Sequence, residues 1–425
     1  MPGHKGKAFL GPERWDITEI EGADVLYSAN GIIKKSQQNA ASLFGTEKTL
    51  YSTEGSSLCI RAMVSLIKMY AGIQKQKPTV LAGRNAHKSF VTACAVLDVE
   101  ADWLFPPESE ALLSCNITAE YLESVLSSCS VKPTAVYVTS PDYLGNMLDI
   151  KALSQVCRKH KVLLAVDNAH GAYLKFLPVS LHPMDLGADI CCDSAHKTLP
   201  VLTGGAYLHI SKLAPEFLKL CSETAMSLFA STSPSYLILQ SLDMANEYLS
   251  LNYKASLSEF ISEVRGLKNE LVTQGYRLLG NEPLKLTLAT KEYGYTGLEL
   301  AEALAEKGII CEFSDPDFIC FMLTPENGAE NLEKLKTALL EIPKNEPLTA
   351  LPPKPTLKKR VLSLNEAVFS PGRQIPVSQS LGKILASPTV SCPPAVPLVM
   401  CGEEIDQAAI EGFSYYGIKE CTVVF

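Results

Sequence analysis

The chain has 425 residues, too many for one ordinary domain and enough for two or three. Apolar residues make up 47% and charged residues 20%, so a core can be buried without disulfide or metal staples. Lys plus Arg is 38 against 46 Asp plus Glu, a net charge of −8, which argues against nucleic acid as the main partner and against a polybasic membrane patch.

The 13 cysteines are odd in number and lack a CxxC, so they read as reduced, mostly buried thiols of a cytoplasmic protein. Adjacent Cys191 and Cys192 make a poor zinc pair, and no metal site is expected. No signal peptide is read at the start. The longest stretch without formal charge, 384–402, contains Pro388, Pro393, Pro394 and Pro397. These break any spanning helix, so no membrane segment is expected there.

The first 33 residues are rich in glycine and charge and read as an irregular arm. Helical periodicity begins near Lys34 and runs to Phe44. It resumes after Ser57, where Ile60, Met63, Val64, Ile67 and Met69 share roughly one side. Short apolar runs follow at 79–82, 135–139, 162–167, 190–192 and 206–210, with helical stretches such as 119–126 and 150–160 between them. This alternation predicts a buried, mostly parallel sheet with helices on both faces, and ligands at the carboxyl ends of its strands.

Residues 235–274 read as long helix. Strands at 284–289, 309–313 and 318–323, with helices at 298–307 and 329–340, make a second, smaller α/β unit. A Pro-rich linker at 342–355 leads to a further short unit. The expected division is 1–33 for the arm, 34–255 for the large domain, 256–345 for the small domain and 346–425 for a C-terminal subdomain.

Two strand ends carry candidate chemistry. One strand ends in Asp167, followed by Asn168, Ala169 and His170; the next ends near Asp193, followed by Ser194, Ala195, His196 and Lys197. Taken singly, Asp167 is an N-cap and Lys197 a solvated lysine. Together they suit pyridoxal phosphate: the lysine amine bonds the aldehyde, and the carboxylate keeps the pyridine nitrogen protonated. The cofactor then takes up electrons from the bond broken at the substrate Cα. Gly55, Ser56 and Ser57 precede the helix of 58–70 and offer an anion seat, although such a triplet is more often only a cap. Ser194 and His196 flank the lysine and can add phosphate contacts. His87, after the strand at 79–82, could lie flat on the ring or be a capping or surface histidine. Four of the seven histidines (His4, His87, His160 and His196) precede a lysine, so only position gives His87 weight.

With these residues in order, the chain resembles the ornithine/lysine/arginine decarboxylase family of fold type I pyridoxal phosphate enzymes, in its short bacterial form. The matching segments are PGHKG at 2–6, DITEIEG at 16–22, AASLFG at 40–45, NAHKS at 85–89, TSPDYLG at 139–145, DNAHG at 167–171, DSAHKTL at 193–199, STSPSY at 231–236 and CPPAVPLVMCGE at 392–403. The resemblance implies an aspartate aminotransferase-like large domain with a mostly parallel seven-stranded sheet, plus smaller C-terminal α/β units. It implies Lys197 as the cofactor-bearing lysine, Asp167 as the pyridinium partner and His87 stacked on the ring. Gly55, Ser56, Ser57, Ser194 and His196 would hold the phosphate, and His170 would lie near the ring hydroxyl or the reacting carbon. It also implies a homodimer or higher homo-oligomer, with Thr232 or Ser233 reaching the phosphate of a neighbouring subunit.

The expected reaction is decarboxylation of arginine, lysine or ornithine to an amine of the polyamine pathway. Proton return to Cα falls to His170, His196 or Lys197. Asp16, Glu19, Glu21 and Asp24 on the arm are candidates to meet the substrate's distal cation. The rivals are transamination or aldol cleavage on the same cofactor, and a non-catalytic decarboxylase-like binding protein. Family members usually carry residues ahead of PGHKG, whereas Met1 stands directly before Pro2, which leaves two expectations open: a recorded start too far downstream, or a chain lacking an N-terminal helix that helps form the dimer. No receiver-like N-terminal domain is read, so the decameric, acid-stress regulation of the large acid-inducible enzymes is not implied.

Overall fold

The computed structural model describes residues 2–106, 111–389 and 395–425. The chain forms two compact units. The first comprises Met1–Leu81, Thr118–Ser140 and Asp149–Ala255; the second comprises Ala82–Ile117, Pro141–Leu148 and Ser256–Phe425.

Seven strands form the main sheet: β1 (Lys48–Ser52), β2 (Thr79–Gly83), β3 (Glu100–Leu104), β4 (Ala135–Thr139), β5 (Leu163–Asp167), β6 (Ile190–Asp193) and β7 (Ala206–Ile210). Their order is β1-β7-β6-β5-β4-β2-β3. Strands β4, β5 and β6 run parallel, with Thr139 opposite Asp167 and Asp167 opposite Cys192. Strand β7 is antiparallel to both β6 and β1. All five residues of β5 and of β7 are buried, as expected of a sheet covered on both faces. The expected seven-stranded, mostly parallel α/β sheet is present. β1 and β3 were not expected: β1 mixes Lys, Thr and Ser with two apolar residues, and β3 is half polar.

The helices are α1 (Ile32–Phe44), α2 (Gly55–Ile73), α3 (Lys88–Leu97), α4 (Ala119–Ser128), α5 (Ile150–His160), α6 (Pro183–Leu186), α7 (Ala195–Thr198), α8 (Glu216–Ser227), α9 (Tyr236–Ser250) and α10 (Tyr253–Gln274). Helix α2 is long and apolar enough to cross a membrane by length and composition. Here it is a core helix, packed on β6, β7 and α8, with Leu58, Met63, Leu66 and Ile67 fully buried. Truncating one of these to Ala removes about 2–5 kcal/mol of packing and transfer energy. The helix expected over 235–274 is two helices, because Leu251 leaves helical geometry at φ −86°, ψ −110°.

The second unit holds a four-stranded antiparallel sheet of order β10-β11-β9-β8, from β8 (Arg277–Leu279), β9 (Lys285–Ala289), β10 (Phe313–Ser314) and β11 (Phe318–Met322). The strand expected at 309–313 shrinks to β10, and residues 309–312 form no strand. Helices α11 (Gly297–Glu306), α12 (Gly328–Leu340), α13 (Leu364–Phe369) and α14 (Gln407–Tyr415), and the pair β12 (Gly372–Pro376) and β13 (Glu420–Val424), complete it. Ile375, Val399, Ile405, Phe413 and Val423 form the core of the C-terminal part. The 12 described cysteines are free, nine of them buried. Burial pushes the thiols of Cys115 and Cys320 up to about 11 and those of Cys157 and Cys401 up to about 12.

Candidate active site

The parallel pairing of β5 and β6 puts their carboxyl ends side by side. Asp167 is 2% exposed. Its Oδ2 accepts from the Tyr137 hydroxyl of β4 at 3.1 Å, and its Oδ1 accepts from the Ala169 N–H at 3.2 Å. The turn beyond it is pinned by the Asn168 N–H to the Cys192 carbonyl, 2.9 Å, and by the Gly171 N–H to the Asn168 carbonyl, 2.8 Å. Gly171 has to lack a side chain, since an added Cβ would stand 2.1 Å from Asn168 Oδ1.

Beyond β6 the chain turns into the short helix α7. Ser194 Oγ donates to Ser56 Oγ at 2.8 Å. His196 Nδ1 donates to the Gly205 carbonyl at 3.0 Å. Lys197 Nζ lies 2.9 Å from His170 Nε2, so the two strand-end turns meet through these side chains. His170 is buried, while His196 and Lys197 are half-buried.

Helix α2 starts at the same end of the sheet. Its N-cap residue, Glu54, makes no side-chain cap, so the helix start keeps the partial positive charge of its first peptide groups. Gly55 takes φ +69°, and an added Cβ would meet nothing within 4 Å. Its N–H bonds the Gly204 carbonyl at 2.7 Å. Ser56 and Ser57 sit in the first turn, half-buried. The Ser231 N–H donates to Glu54 Oε1 at 2.8 Å, which brings the STSPSY segment of this same chain to the helix start. Thr232, next to it, is exposed.

His87 belongs to the second unit, where it caps α3: its Nδ1 accepts from the Ser89 N–H at 3.1 Å. The Lys88 N–H bonds the Ala395 carbonyl at 2.8 Å, joining the NAHKS segment to the described part of CPPAVPLVMCGE. Cys392, Pro393 and Pro394 of that segment lie outside the described residues. On the arm, Asp24 is spent on structure, since its carboxylate accepts from the N–H groups of Val25, Asn30, Gly31, Ile33 and Lys34. Asp16 pairs with His4 at 3.2 Å, and Glu19 accepts from Thr18.

Sequence reasoning missed Tyr137 and the partners of Asp193. Asp193 is fully buried, with His182 Nε2 and His209 Nε2 each 3.0 Å from its Oδ2. Burial alone would raise this carboxyl, but the two imidazoles override it and hold it well below the usual carboxylate range. One signal was readable: a histidine in the middle of the apolar run Ala-Tyr-Leu-His-Ile needs a buried partner.

A sequence profile described as "Orn/Lys/Arg decarboxylase, major domain" matches residues 6–287, well over half of the chain. The chain belongs to the Orn/Lys/Arg decarboxylase family. It is similar to an arginine decarboxylase of Bacillus subtilis, 29% identical over 98% of this chain and 89% of the relative. Its fold matches the constitutive lysine decarboxylase of E. coli with a TM-score of 0.77 at 18% identity, covering 100% of this chain and 79% of that one. The lysine decarboxylase of Francisella novicida matches with a TM-score of 0.78 at 16% identity, covering 100% and 78%. As a family member this decarboxylase is a carbon–carbon lyase acting with pyridoxal phosphate on a basic amino acid. The donor set fits that cofactor: an uncapped helix start with two hydroxyls for an anion, a buried carboxylate at a strand end, and an amine on the neighbouring turn.

Proposed function

We propose that this enzyme decarboxylates arginine, releasing carbon dioxide and an amine that enters polyamine synthesis, as a cytoplasmic homodimer. Arginine is favoured over lysine and ornithine because relatives that match nearly the whole chain are named arginine decarboxylases. In this reading Lys197 holds the cofactor and Asp167 faces its ring nitrogen. Gly55, Ser56, Ser57, Ser194 and His196 bind its phosphate, joined by Thr232 of a second copy. The ring-stacking role expected of His87 belongs to the same proposal. When bound, pyridoxal phosphate supplies an electron sink for the bond broken at the substrate Cα.

The chain's own groups do the rest. The buried Asp167 carboxylate stabilises positive charge opposite it, because burial removes competing water. The 2.9 Å contact of Lys197 Nζ with His170 Nε2 gives one proton two neighbouring homes, so either group can return a proton to Cα. That contact is the observation on which the reading rests. With Asp24 committed to its backbone donors, Asp16, Glu19 and Glu21 remain as arm candidates for the distal cation. The test is a panel of arginine, lysine and ornithine with chromatographic detection of amine product. Agmatine as the dominant product supports the reading. Keto acid without carbon dioxide, or preference for lysine or ornithine, refutes the reaction or the substrate respectively.

A further inference from the structure

Asp193 ends a strand whose other residues are apolar, and the donors around it are unusually complete. Oδ2 takes His182 Nε2 and His209 Nε2, each at 3.0 Å. Oδ1 takes Asn168 Nδ2 at 2.7 Å and the Cys191 thiol at 3.7 Å. Phe44 closes the group on one side, with its ring centroid 5.4 Å from that of His182 and 4.5 Å from that of His209.

The three side chains also have the composition of a metal site, with ligand atoms within 4.8 Å of one another. The outer partner of His182 decides against a metal. His182 Nδ1 accepts from the Met184 N–H at 3.3 Å, and a backbone N–H can only donate. The proton of that ring therefore sits on Nε2, which cannot then ligate. His209 Nδ1 lies 2.9 Å from the Thr49 hydroxyl, a group able both to donate and to accept, so this contact does not fix the tautomer of that ring. With His182 donating, His209 in contact with the same oxygen and Oδ1 engaged by Asn168 and Cys191, the carboxylate is a well-filled acceptor.

One of these donors is Asn168, which follows Asp167 and belongs to the turn that carries His170. Asp193 itself leads directly into Ser194 and Lys197. We propose that Asp193 is a positioning residue: through Asn168 it clamps the turn at 167–171 to the turn at 194–197, and so keeps Asp167, His170 and Lys197 in register for the cofactor. This rests on the roles proposed above for Lys197 and Asp167. Asparagine is a poorer fit, because an amide nitrogen in place of Oδ2 would turn an N–H toward the His182 N–H.

The test uses the full-length protein stripped of cofactor. Asp193→Asn and Asn168→Ala are compared with Leu122→Ala, a fully buried residue of α4 that lowers stability without touching either turn. Cofactor affinity is read by absorbance titration, lysine attachment by borohydride reduction and peptide mass, and stability by thermal midpoint. Both network variants are expected to weaken cofactor binding about tenfold or more and to lower the fraction fixed at Lys197 at saturating cofactor, as a displaced site costs about that much. Leu122→Ala is expected to lower only the midpoint. If Asp193→Asn does not fold, Asn168→Ala carries the test alone, since it keeps the carboxylate and three of its donors. A parent protein not fixed at Lys197 overturns the cofactor reading and this inference with it. A parent fixed at Lys197, with network variants that bind like Leu122→Ala, overturns this inference alone. Stoichiometric metal in the purified protein, lost in Asp193→Asn, overturns it as well.

Discussion

Arg84→Met removes a buried cation of the second unit and leaves its partner behind. The Arg84 guanidinium donates to the Pro397 carbonyl at 2.9 Å and the Leu398 carbonyl at 3.0 Å, and it lies 3.5 Å from Glu403. The two side chains are 6% and 3% exposed, so neither is rescued by water. Stranding a buried charge costs about 3–5 kcal/mol. With a urea slope of about 2–3 kcal/mol/M, the unfolding midpoint should fall by about 1.5 M at pH 8. Tryptophan emission is a suitable probe, since the Trp103 ring centre is 5.7 Å from the guanidinium.

The pH dependence tests the cause. Burial raises the Glu403 carboxyl, and Arg84 pulls it partly back. A raised folded value means stability that is complete below the unfolded value near 4.3 and is lost as pH climbs through the folded one. Removing Arg84 moves the folded value further up and widens that window. The penalty should therefore be small at pH 5 and grow toward pH 8, by about 1.4 kcal/mol per unit of added shift. Adding Glu403→Leu should recover part of the loss. An equal penalty at pH 5 and pH 8, or one below about 1 kcal/mol at pH 8, would refute the argument.

Two further outcomes follow from the site. Lys197→Ala should abolish turnover and the absorption of lysine-bound cofactor while leaving the thermal midpoint of the cofactor-free protein nearly unchanged; retained activity rejects the assignment. Gly204→Ala should destabilise by about 1–3 kcal/mol and weaken cofactor binding, measured by urea unfolding and absorbance titration. Gly204 has φ +98°, an added Cβ would stand 2.8 Å from the Thr53 carbonyl oxygen, and its own carbonyl holds the Gly55 N–H.

The sheet was legible where strands are buried on both faces. β4, β5, β6 and β7 are nearly unbroken apolar runs, and their lengths exclude helices. β1 was not, because Lys48, Thr49 and Ser52 owe their place to antiparallel pairing with β7, which no local pattern announces. The break at Leu251 was equally invisible, since the flanking residues keep helical composition without Gly or Pro. In the site, the nearness of the turns after β5 and β6 followed from strand-end logic, and the contact of Lys197 with His170 is where it shows. The Asp193 partners did not, because His182 and His209 lie 11 and 16 residues away on other elements.

The buried sulfhydryls give this enzyme a built-in clock. Nine of the 12 described thiols are shielded, and those pushed to about 11 or 12 hold almost no thiolate at neutral pH, so alkylating dyes and peroxide find little to attack while the chain is intact. Apart from the partly exposed Cys129, Cys221 and Cys311, which react early, the time at which labelling accelerates reports the loss of native structure.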